Sequence, residues 1–234
     1  MELKELTEAL CSLAGPSGYE DAVFRFIGDY VRPFADEVRT DALGNLIAVK
    51  RCGVPGAETV LLDAHMDEIG FIVTAAEDGF LRFAALGGVD ARLLPAREVR
   101  ILSQPERFGV IDVVPPHLLS AEDMESTVPI DKLFIDAGLT QEEAEPLVGT
   151  PVVFAGGVTE LGEGAICGKA LDDRSCAAIL IKAFEDLAKK DLDRDICLLL
   201  STQEEVGHRG AVTGAWAVQP DLAIVTDVTF AKTP

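Results

Sequence analysis

The stretch "TVLLDAH" (residues 59–65) decides how this chain folds. Its continuous apolar run is typical of a strand that is covered on both faces, as in the sheets of α/β proteins. The run ends on His65, and a second ionisable residue, Asp67, follows two positions later. The stretch therefore predicts a central strand that carries an imidazole at its carboxyl end.

Strand and helix patterns alternate on both sides of this stretch. Further strand patterns are "NLIAVKR" (45–51), "DICLLLST" (195–202) and "DLAIVTD" (221–227). Apolar residues recur at helical intervals in 2–14, 19–34 and 174–190. The alternation predicts an α/β fold with a mixed, largely parallel sheet flanked by helices.

The middle of the chain has a different texture. Short strand-like pieces separated by Gly and Pro fill it, among them "EVRILS" and "RFGVIDVV". Within it, residues 126–148 predict one or two short helices. We therefore predict a discontinuous catalytic domain made of 1–70 and 164–234, interrupted by a small inserted β-barrel domain made of 71–163.

The charge balance of the chain limits its partners. Of 234 residues, 20 are basic and 40 are acidic, which gives a formal charge of -20. This charge repels phosphate backbones and anionic lipids, so it argues against nucleic acids and membranes and suits a metal ion or a cationic ligand. Five scattered cysteines without C-x-x-C spacing predict free thiols in a cytoplasmic protein.

Ionisable residues that can bind a metal ion stand at four positions next to predicted strands and helices. They are His65 and Asp67, Asp172 and Asp173, Glu204 and Glu205, and Asp227. Loops that leave the carboxyl ends of parallel strands converge, so these side chains are expected to lie together. Imidazole and carboxylate groups suit Zn²⁺, Co²⁺ and Mn²⁺, and two such ions can share a bridging carboxylate.

Each of these residues also has an ordinary explanation. Asp172 or Asp173 is a suitable cap for the helix that follows, and His65 alone is more often a structural histidine. Asp227 could be an ordinary acidic residue in a loop at the end of a strand. The two glutamates could lie in a turn exposed to solvent. The coincidence of all four positions favours the metal site.

The neighbouring glutamates suggest a division of labour. One can bind a metal ion, while the other takes a proton from the attacking water and later delivers it to the leaving group. Asp67 can turn back to the second ring nitrogen of His65 and fix its tautomer, as carboxylates behind metal-binding histidines do.

Several stretches together resemble the glutamyl aminopeptidase and tetrahedral aminopeptidase family of co-catalytic metallopeptidases. The matching stretches are "GPSGYE" (15–20), "TDALGNLIA" (40–48), "LLDAHMDEIGF" (61–71), "PPHLLS" (115–120), "GKALDDR" (168–174), "QEEVGHRGA" (203–211) and "TDVT" (226–229). They occur in order along the whole chain, and "AHMDEIG", "ALDDR" and "QEEVG" are specific in combination.

The resemblance implies a zinc-peptidase-like α/β/α fold and a role for each candidate residue. Asp172 would bridge two divalent ions, Zn or Co with Mn as an alternative; His65 and Asp227 would complete one site and Glu205 the other. Glu204 would be the general base, and Asp67 would orient His65. The reaction would be removal of N-terminal residues from short peptides. The inserted domain would be the oligomerisation domain, which in family members builds homodimers and then a dodecamer.

One departure from the family pattern affects the site. Family members continue for about a hundred residues beyond this region and carry a final histidine ligand there. The Glu205 site is therefore expected to be one ligand short in these 234 residues. His117 and His208 are the only other histidines, and neither has a position that favours a replacement role, since metal ligands must converge.

Three other functions stay open at this stage. A related metal-dependent deacylase or carboxypeptidase would use the same kind of site on another bond. A glycosidase would need only two carboxylates, although 6% aromatic residues and one Trp offer few surfaces for sugars. The chain would otherwise be an inactive assembly module that acts through its inserted domain.

Overall fold

The computed structural model describes residues 1–115 and 128–230. The chain forms two compact units, Met1–Glu68 with Gly157–Pro234, and Ile69–Gly156. The elements in chain order are α1 (Leu3–Ser12), α2 (Asp21–Val31), β1 (Glu37–Thr40), β2 (Leu46–Lys50), β3 (Thr59–His65), β4 (Gly70–Glu77), β5 (Phe80–Leu86), β6 (Glu98–Ile101), β7 (Arg107–Asp112), β8 (Phe134–Asp136), α3 (Gln141–Ala144), β9 (Pro151–Phe154), β10 (Thr159–Leu161), β11 (Ala165–Cys167), α4 (Leu171–Leu187), β12 (Asp195–Ser201), α5 (Arg209–Val218) and β13 (Leu222–Val225).

The first unit is built on a five-stranded sheet in the order β1-β2-β12-β3-β13. Both neighbours of β3 run parallel to it, whereas β2 is antiparallel to β1 and to β12. The apolar run that predicted a strand covered on both faces is thus the centre of the parallel part. The predicted α/β class with a mixed sheet is confirmed.

Helices cover both faces of this sheet, as the alternation of side chains along a strand requires. On one face, Leu62 and Leu198 pack in a buried cluster with apolar residues of α1, α2 and α4. On the other face, Leu61 and Leu199 form a second cluster, against which Ala215 and Val218 of α5 pack. The amphipathic helices read from the sequence supply the first of these layers.

The second unit is a closed barrel in the strand order β4-β5-β8-β7-β6-β9, which confirms the predicted inserted β-barrel fold. Its interior is filled by fully buried apolar side chains such as Phe71, Leu81 and Ile111. One element differs from expectation: β8 lies inside the stretch predicted to be helical. Ile135 in β8 pairs with Leu81 and with Ile111, and these pairings over long sequence distances override the local pattern.

Two further features concern membrane spans and cysteines. Across residues 1–115 and 128–230, no helix is both long enough and apolar enough to span a membrane. All five cysteines are free thiols.

Candidate metal centre

Strands β12, β3 and β13 bring their carboxyl ends to one edge of the sheet. Ser201, the last residue of β12, lies opposite His65, the last residue of β3. The loops that follow such parallel strands converge. Glu204 and Glu205 follow β12 and Asp227 follows β13, so these acids reach the edge at which His65 ends β3. We call this region the site edge.

The start of α4 approaches the site edge from another part of the chain. Asp172 and Asp173 lie in its first turn with non-helical backbone angles. Oδ1 of Asp172 is 3.0 Å from Nε2 of His65, and Oε2 of Glu204 is 3.8 Å from the same nitrogen. The nitrogen with which His65 could bind a metal ion therefore faces carboxylate oxygens.

Two groups of side chains at the site edge have ligand atoms close enough to share a cation. One group is His65, Asp173 and Asp227, and the other is His65, Glu204 and Glu205; within each group the ligand atoms lie within 4.8 Å of one another. Histidine with carboxylates is a donor set for Zn²⁺, Co²⁺ or Mn²⁺. Since His65 belongs to both groups, the two candidate positions adjoin.

Asp173 gives an independent sign that a cation fits here. Its side chain is fully buried. No N–H or O–H of a described residue donates to either carboxylate oxygen, and the thiol of Cys176 is only a weak donor to it. A buried carboxylate with so little hydrogen bonding is costly when ionised, and burial raises the pKa of Asp173 to about 7. A divalent ion would neutralise this charge. The lack of a backbone N–H donor among the described residues also argues against Asp173 as a helix cap.

Asp67 holds both the imidazole ring and the turn that carries the glutamates. Its fully buried carboxylate places Oδ1 3.3 Å from Nδ1 of His65. The same oxygen accepts the backbone N–H of Glu204 at 3.0 Å, and Oδ2 accepts that of Glu205 at 3.2 Å. Burial would lower the pKa of His65, but the hydrogen bond with Asp67 and the charges of Asp173 and Glu204 raise it to about 10.

The backbone after β12 explains how two adjacent acids serve one site. Neighbouring side chains of a strand point to opposite faces, but Gln203 has a left-handed conformation with φ of 56°. The alternation of β12 therefore ends before the pair. Burial, followed by the charge of Asp172, raises the pKa of Glu205 to about 7.

Of the two remaining histidines, His208 does not join a metal-capable group among the described residues. Nδ1 of His208 lies 2.6 Å from Oε1 of Glu204, and its side chain is 75% exposed. His208 thus contacts one glutamate at the rim of the site edge. His117 lies outside the described residues.

The six residues singled out from the sequence all lie at the site edge, namely His65, Asp67, Asp172, Glu204, Glu205 and Asp227. The structure differs from the sequence-based expectation in the role of Asp173. The sequence left it open between ligand and helix cap, whereas the structure places it, and not Asp172, in a metal-capable group. Its position beside Asp172 in "ALDDR" was the available signal.

A buried ion-pair network beside the site edge was missed from the sequence. Arg174 is fully buried and donates to the carbonyl oxygens of Leu10 at 2.7 Å and Met66 at 3.1 Å. It also lies 3.4 Å from Oε1 of Glu68, which accepts from Lys169 at 2.9 Å. The network ties the residue after Asp173 to the residue after Asp67, so it fixes two segments that carry candidate ligands relative to each other.

Comparison with known proteins gives a consistent result. The family model for the M42 glutamyl aminopeptidases matches residues 44–234. Lysyl aminopeptidase of Pyrococcus furiosus is 38% identical to this chain, over 98% of this chain and 67% of the relative.

Solved structures give the same result. A TET aminopeptidase from a marine sediment archaeon, Thaumarchaeota archaeon SCGC AB-539-E09, matches 98% of this chain and 66% of its own with a TM-score of 0.92 and 34% identity. The TET1 peptidase of Pyrococcus horikoshii, described as assembling into a tetrahedron or a large octahedral shell, matches 97% and 68% with a TM-score of 0.87 and 35% identity. The chain thus spans about two thirds of the length of these relatives.

Proposed function

This chain belongs to the M42 glutamyl aminopeptidase family, and from that premise we propose that it is a metal-dependent aminopeptidase that removes N-terminal residues from short peptides. The observation that carries the proposal is the convergence of His65 with two groups of carboxylates at one sheet edge. Carboxylates that lie close together repel one another. An inactive assembly module would have no function that offsets this repulsion.

We propose a dinuclear centre. His65 and Asp227 would hold one ion, Glu205 the other, and Asp172 would bridge them. The distance of 3.0 Å between Asp172 and Nε2 of His65 supports the bridging role; Asp173 is the competing candidate because it groups with His65 and Asp227. When bound, divalent ions supply Lewis-acid polarisation of the scissile carbonyl and activation of water. Zn²⁺ and Co²⁺ suit this donor set, with Mn²⁺ as an alternative.

Glu204 is the proposed general base. Its side chain is 20% exposed and lies beside His65, with Oε2 3.8 Å from Nε2, so it can reach a water at the site edge. It would take the proton of the attacking water and deliver it to the leaving amine. Asp67 would keep Nδ1 of His65 occupied, so that Nε2 stays directed at the ion.

The charge of the site fits a substrate with a free amine. Several carboxylates meet at the site edge, and the chain has a net charge of -20. The negative charge of such a pocket attracts a protonated N-terminal amine, and a neutral amine could bind a metal ion there. We extend the proposal to assembly: the inserted barrel would support a homo-oligomer, as the relative that forms shells suggests. The free thiols of all five cysteines fit a cytoplasmic location.

The test is a panel of aminoacyl chromogenic substrates assayed with added Zn²⁺, Co²⁺ or Mn²⁺ and with excess chelator. We expect release that needs the ion and a free amine. Higher activity on N-acetylated or C-terminally free substrates would favour a deacylase or carboxypeptidase, and polysaccharide cleavage that persists in chelator would favour a glycosidase. A chain that binds two ions and cleaves no member of the panel would contradict the proposal.

A further inference from the structure

The segment "GPSGYE" (residues 15–20) joins α1 to α2 and contacts the turn that carries the two glutamates. The proposed reaction assigns no role to any residue of this segment. In the turn, three successive backbone N–H groups, those of residues 203–205, donate to two buried carboxylates, Glu20 and Asp67. A run of convergent N–H groups is a common anion-binding arrangement in proteins. Here the anions are side chains of the chain itself.

Ser17 reaches this arrangement through Asp67. The Ser17 side chain is almost fully buried, and its hydroxyl donates to Oδ2 of Asp67 at 2.6 Å. Such a short bond from a hydroxyl to a carboxylate is charge-assisted and strong. The same oxygen accepts the N–H of Glu205, while Oδ1 accepts that of Glu204. By fixing the rotation of this carboxylate, Ser17 fixes where both amides can dock.

Glu20 reaches the same turn from the other end of the segment. It is 7% exposed, and its Oε1 accepts the N–H of Gly18 at 2.8 Å and that of Gln203 at 3.2 Å. Gln203 is the left-handed residue that ends the alternation of β12. A side chain other than Gly adopts that conformation only at a cost in free energy. The hydrogen bond to a buried carboxylate offsets that cost.

The segment is a rigid support because it is tied down independently of the turn. The carbonyl of Gly15 accepts the N–H of Glu68 at 3.0 Å, and the N–H of Gly15 donates to Oε1 of Glu68 at 3.1 Å. Arg174 also donates to the carbonyl of Gly15, at 3.3 Å. A support held by the buried ion-pair network does not move with the glutamates.

We propose that Ser17 and Glu20 are positioning residues that set the location of Glu204 and Glu205 by holding the backbone of residues 203–205. The inference rests on the proposed function for the roles of the two glutamates. The hydrogen bonds themselves involve only this chain's own residues, so they can be tested without metal or substrate. Neither Ser17 nor Glu20 belongs to a metal-capable group of the described residues.

The first experiment measures amide hydrogen exchange, residue by residue, in the metal-free 234-residue protein. Ser17→Ala should speed exchange at Glu204 and Glu205 by about tenfold, the effect of losing a hydrogen bond to a charged group. Glu20→Gln keeps an acceptor oxygen but loses its charge, so it should speed exchange at Gln203 by a smaller factor. Ser17→Thr keeps the hydroxyl and should restore slow exchange. Ser12→Ala is the control, because Ser12 Oγ donates to the carbonyl of Ala9 within α1 and to no residue of the turn at 203–205.

The second experiment uses the metal-loaded protein. Ser17→Ala and Glu20→Gln should lower kcat about tenfold with little change in KM, because the base is displaced while substrate contacts are kept. Ser17→Thr should recover kcat. If Ser17→Ala does not fold, Glu20→Gln and Ser17→Thr still test the inference.

The outcomes separate the inference from the proposed function. Equal acceleration of exchange throughout β12, or no change at residues 203–205, would overturn the positioning role, because the segment would then contribute only general stability. A protein without peptidase activity that still shows the localised exchange effect would refute the proposed function and leave the positioning role standing.

Discussion

The interior of the barrel and the site edge of the five-stranded sheet are built from different kinds of side chain. In the barrel, Phe71 is fully buried and packs edge-on against Phe83 and Phe154, with ring centroids 5.0 and 5.2 Å apart. At the site edge, Asp67 and Arg174 are buried just as completely. Apolar packing is non-directional and scales with area, whereas each buried charge depends on a particular partner.

The difference teaches where this chain tolerates change. A barrel residue can be exchanged for another apolar residue of similar volume at modest cost. A buried residue at the site edge such as Asp67 cannot, because its loss leaves donors or acceptors unpaired in the interior. In the barrel, a buried position therefore requires a side chain of the right size. At the site edge, a buried position requires a particular chemical group.

The largest effect should come from Glu204→Gln. This change removes the base and keeps the shape, so kcat should fall by about 10³-fold, within the usual range for general acid–base catalysis, while metal content stays near two ions per chain. Glu142→Gln on the barrel helix α3, an exposed position, is the matched control and should leave kcat unchanged. Loss of metal from Glu204→Gln would show that Glu204 is a ligand and that the roles of the pair are reversed.

The next largest difference should be in stability: a conservative substitution should cost more free energy of unfolding at the buried ion-pair network than in the barrel interior. Arg174→Lys should cost about 3 kcal/mol of the free energy of unfolding, because one ammonium cannot replace a planar fork that bonds several carbonyls. Leu81→Met in the barrel interior, an exchange of similar volume, should cost about 1.5 kcal/mol or less. Urea denaturation of both variants measures the difference. Equal costs would mean that the buried charges at the site edge are no more demanding than apolar packing.

Removing either of the two adjacent aspartates should show which of them contributes more to metal affinity at the site edge. Asp172→Ala should release both ions, with affinity lowered by at least about 100-fold, since loss of a supporting partner alone costs up to that much. Titration with Co²⁺, followed by its visible absorption, gives the stoichiometry. Asp173→Ala is the partner variant. If Asp173→Ala empties both positions and Asp172→Ala does not, the bridging role passes to Asp173.

The two regions should respond to pH with opposite signs. Burial raises the pKa of Asp173 and of Glu205 to about 7, so the folded metal-free protein holds protons that the unfolded chain releases. Its stability should therefore fall as the pH rises from about 4 to 7. In the barrel, the neighbouring Arg92 lowers the pKa of Asp90 to about 2, and this contribution is lost only as the pH falls below about 4.

Far-UV circular dichroism follows urea unfolding of the unit that holds the site edge, because α1, α2, α4 and α5 lie in it. The unfolding midpoint should decrease between pH 5 and 7 without metal, and added Zn²⁺ should reverse the trend because the ion competes with protons. Asp173→Asn should weaken the pH dependence. A midpoint that rises over this interval without metal would contradict the assigned shifts.

The smallest effect should come from a cap in the barrel unit. Thr140 caps α3, accepting the N–H of Glu143 in a reciprocal capping box. Thr140→Ala should cost about 1 kcal/mol of stability and leave metal affinity and kcat unchanged. Urea denaturation and metal titration of the same sample provide the check, and a change in metal affinity would show that the barrel and the site edge are energetically coupled.

Much of the fold could be predicted because long apolar runs mark strands that are buried on both faces. The patterns at 59–65 and 195–202 correspond to β3 and β12, which are largely buried. The pattern at 221–227 corresponds to β13, whose residues are exposed in the described structure. Helix α5 could not be predicted in the same way, since "RGAVTGAWAV" contains two glycines that disfavour a helix. Both are needed for close packing: a Cβ at Gly210 would lie 2.2 Å from the carbonyl oxygen of Thr202, and one at Gly214 would lie 2.6 Å from Leu199.

The site was predictable in part for a similar reason. Parallel strands carry their terminal residues to one edge, so His65, Glu204, Glu205 and Asp227 could be grouped from the strand pattern alone. The environment of Asp173 depends on how α4 packs, and the contacts of Ser17 and Glu20 depend on how a loop folds back on a turn. No periodicity encodes such contacts.

The order of strands in the sheet has a consequence for synthesis on the ribosome. Strand β3 is complete at His65, but both of its partners, β12 and β13, begin only at Asp195 and Leu222. At 5–20 residues per second, the nascent apolar strand waits on the order of ten seconds before either partner emerges. During that interval its edges are open templates for pairing with other chains. The strand that later presents His65 thus stays without either partner while residues 66–194 are made.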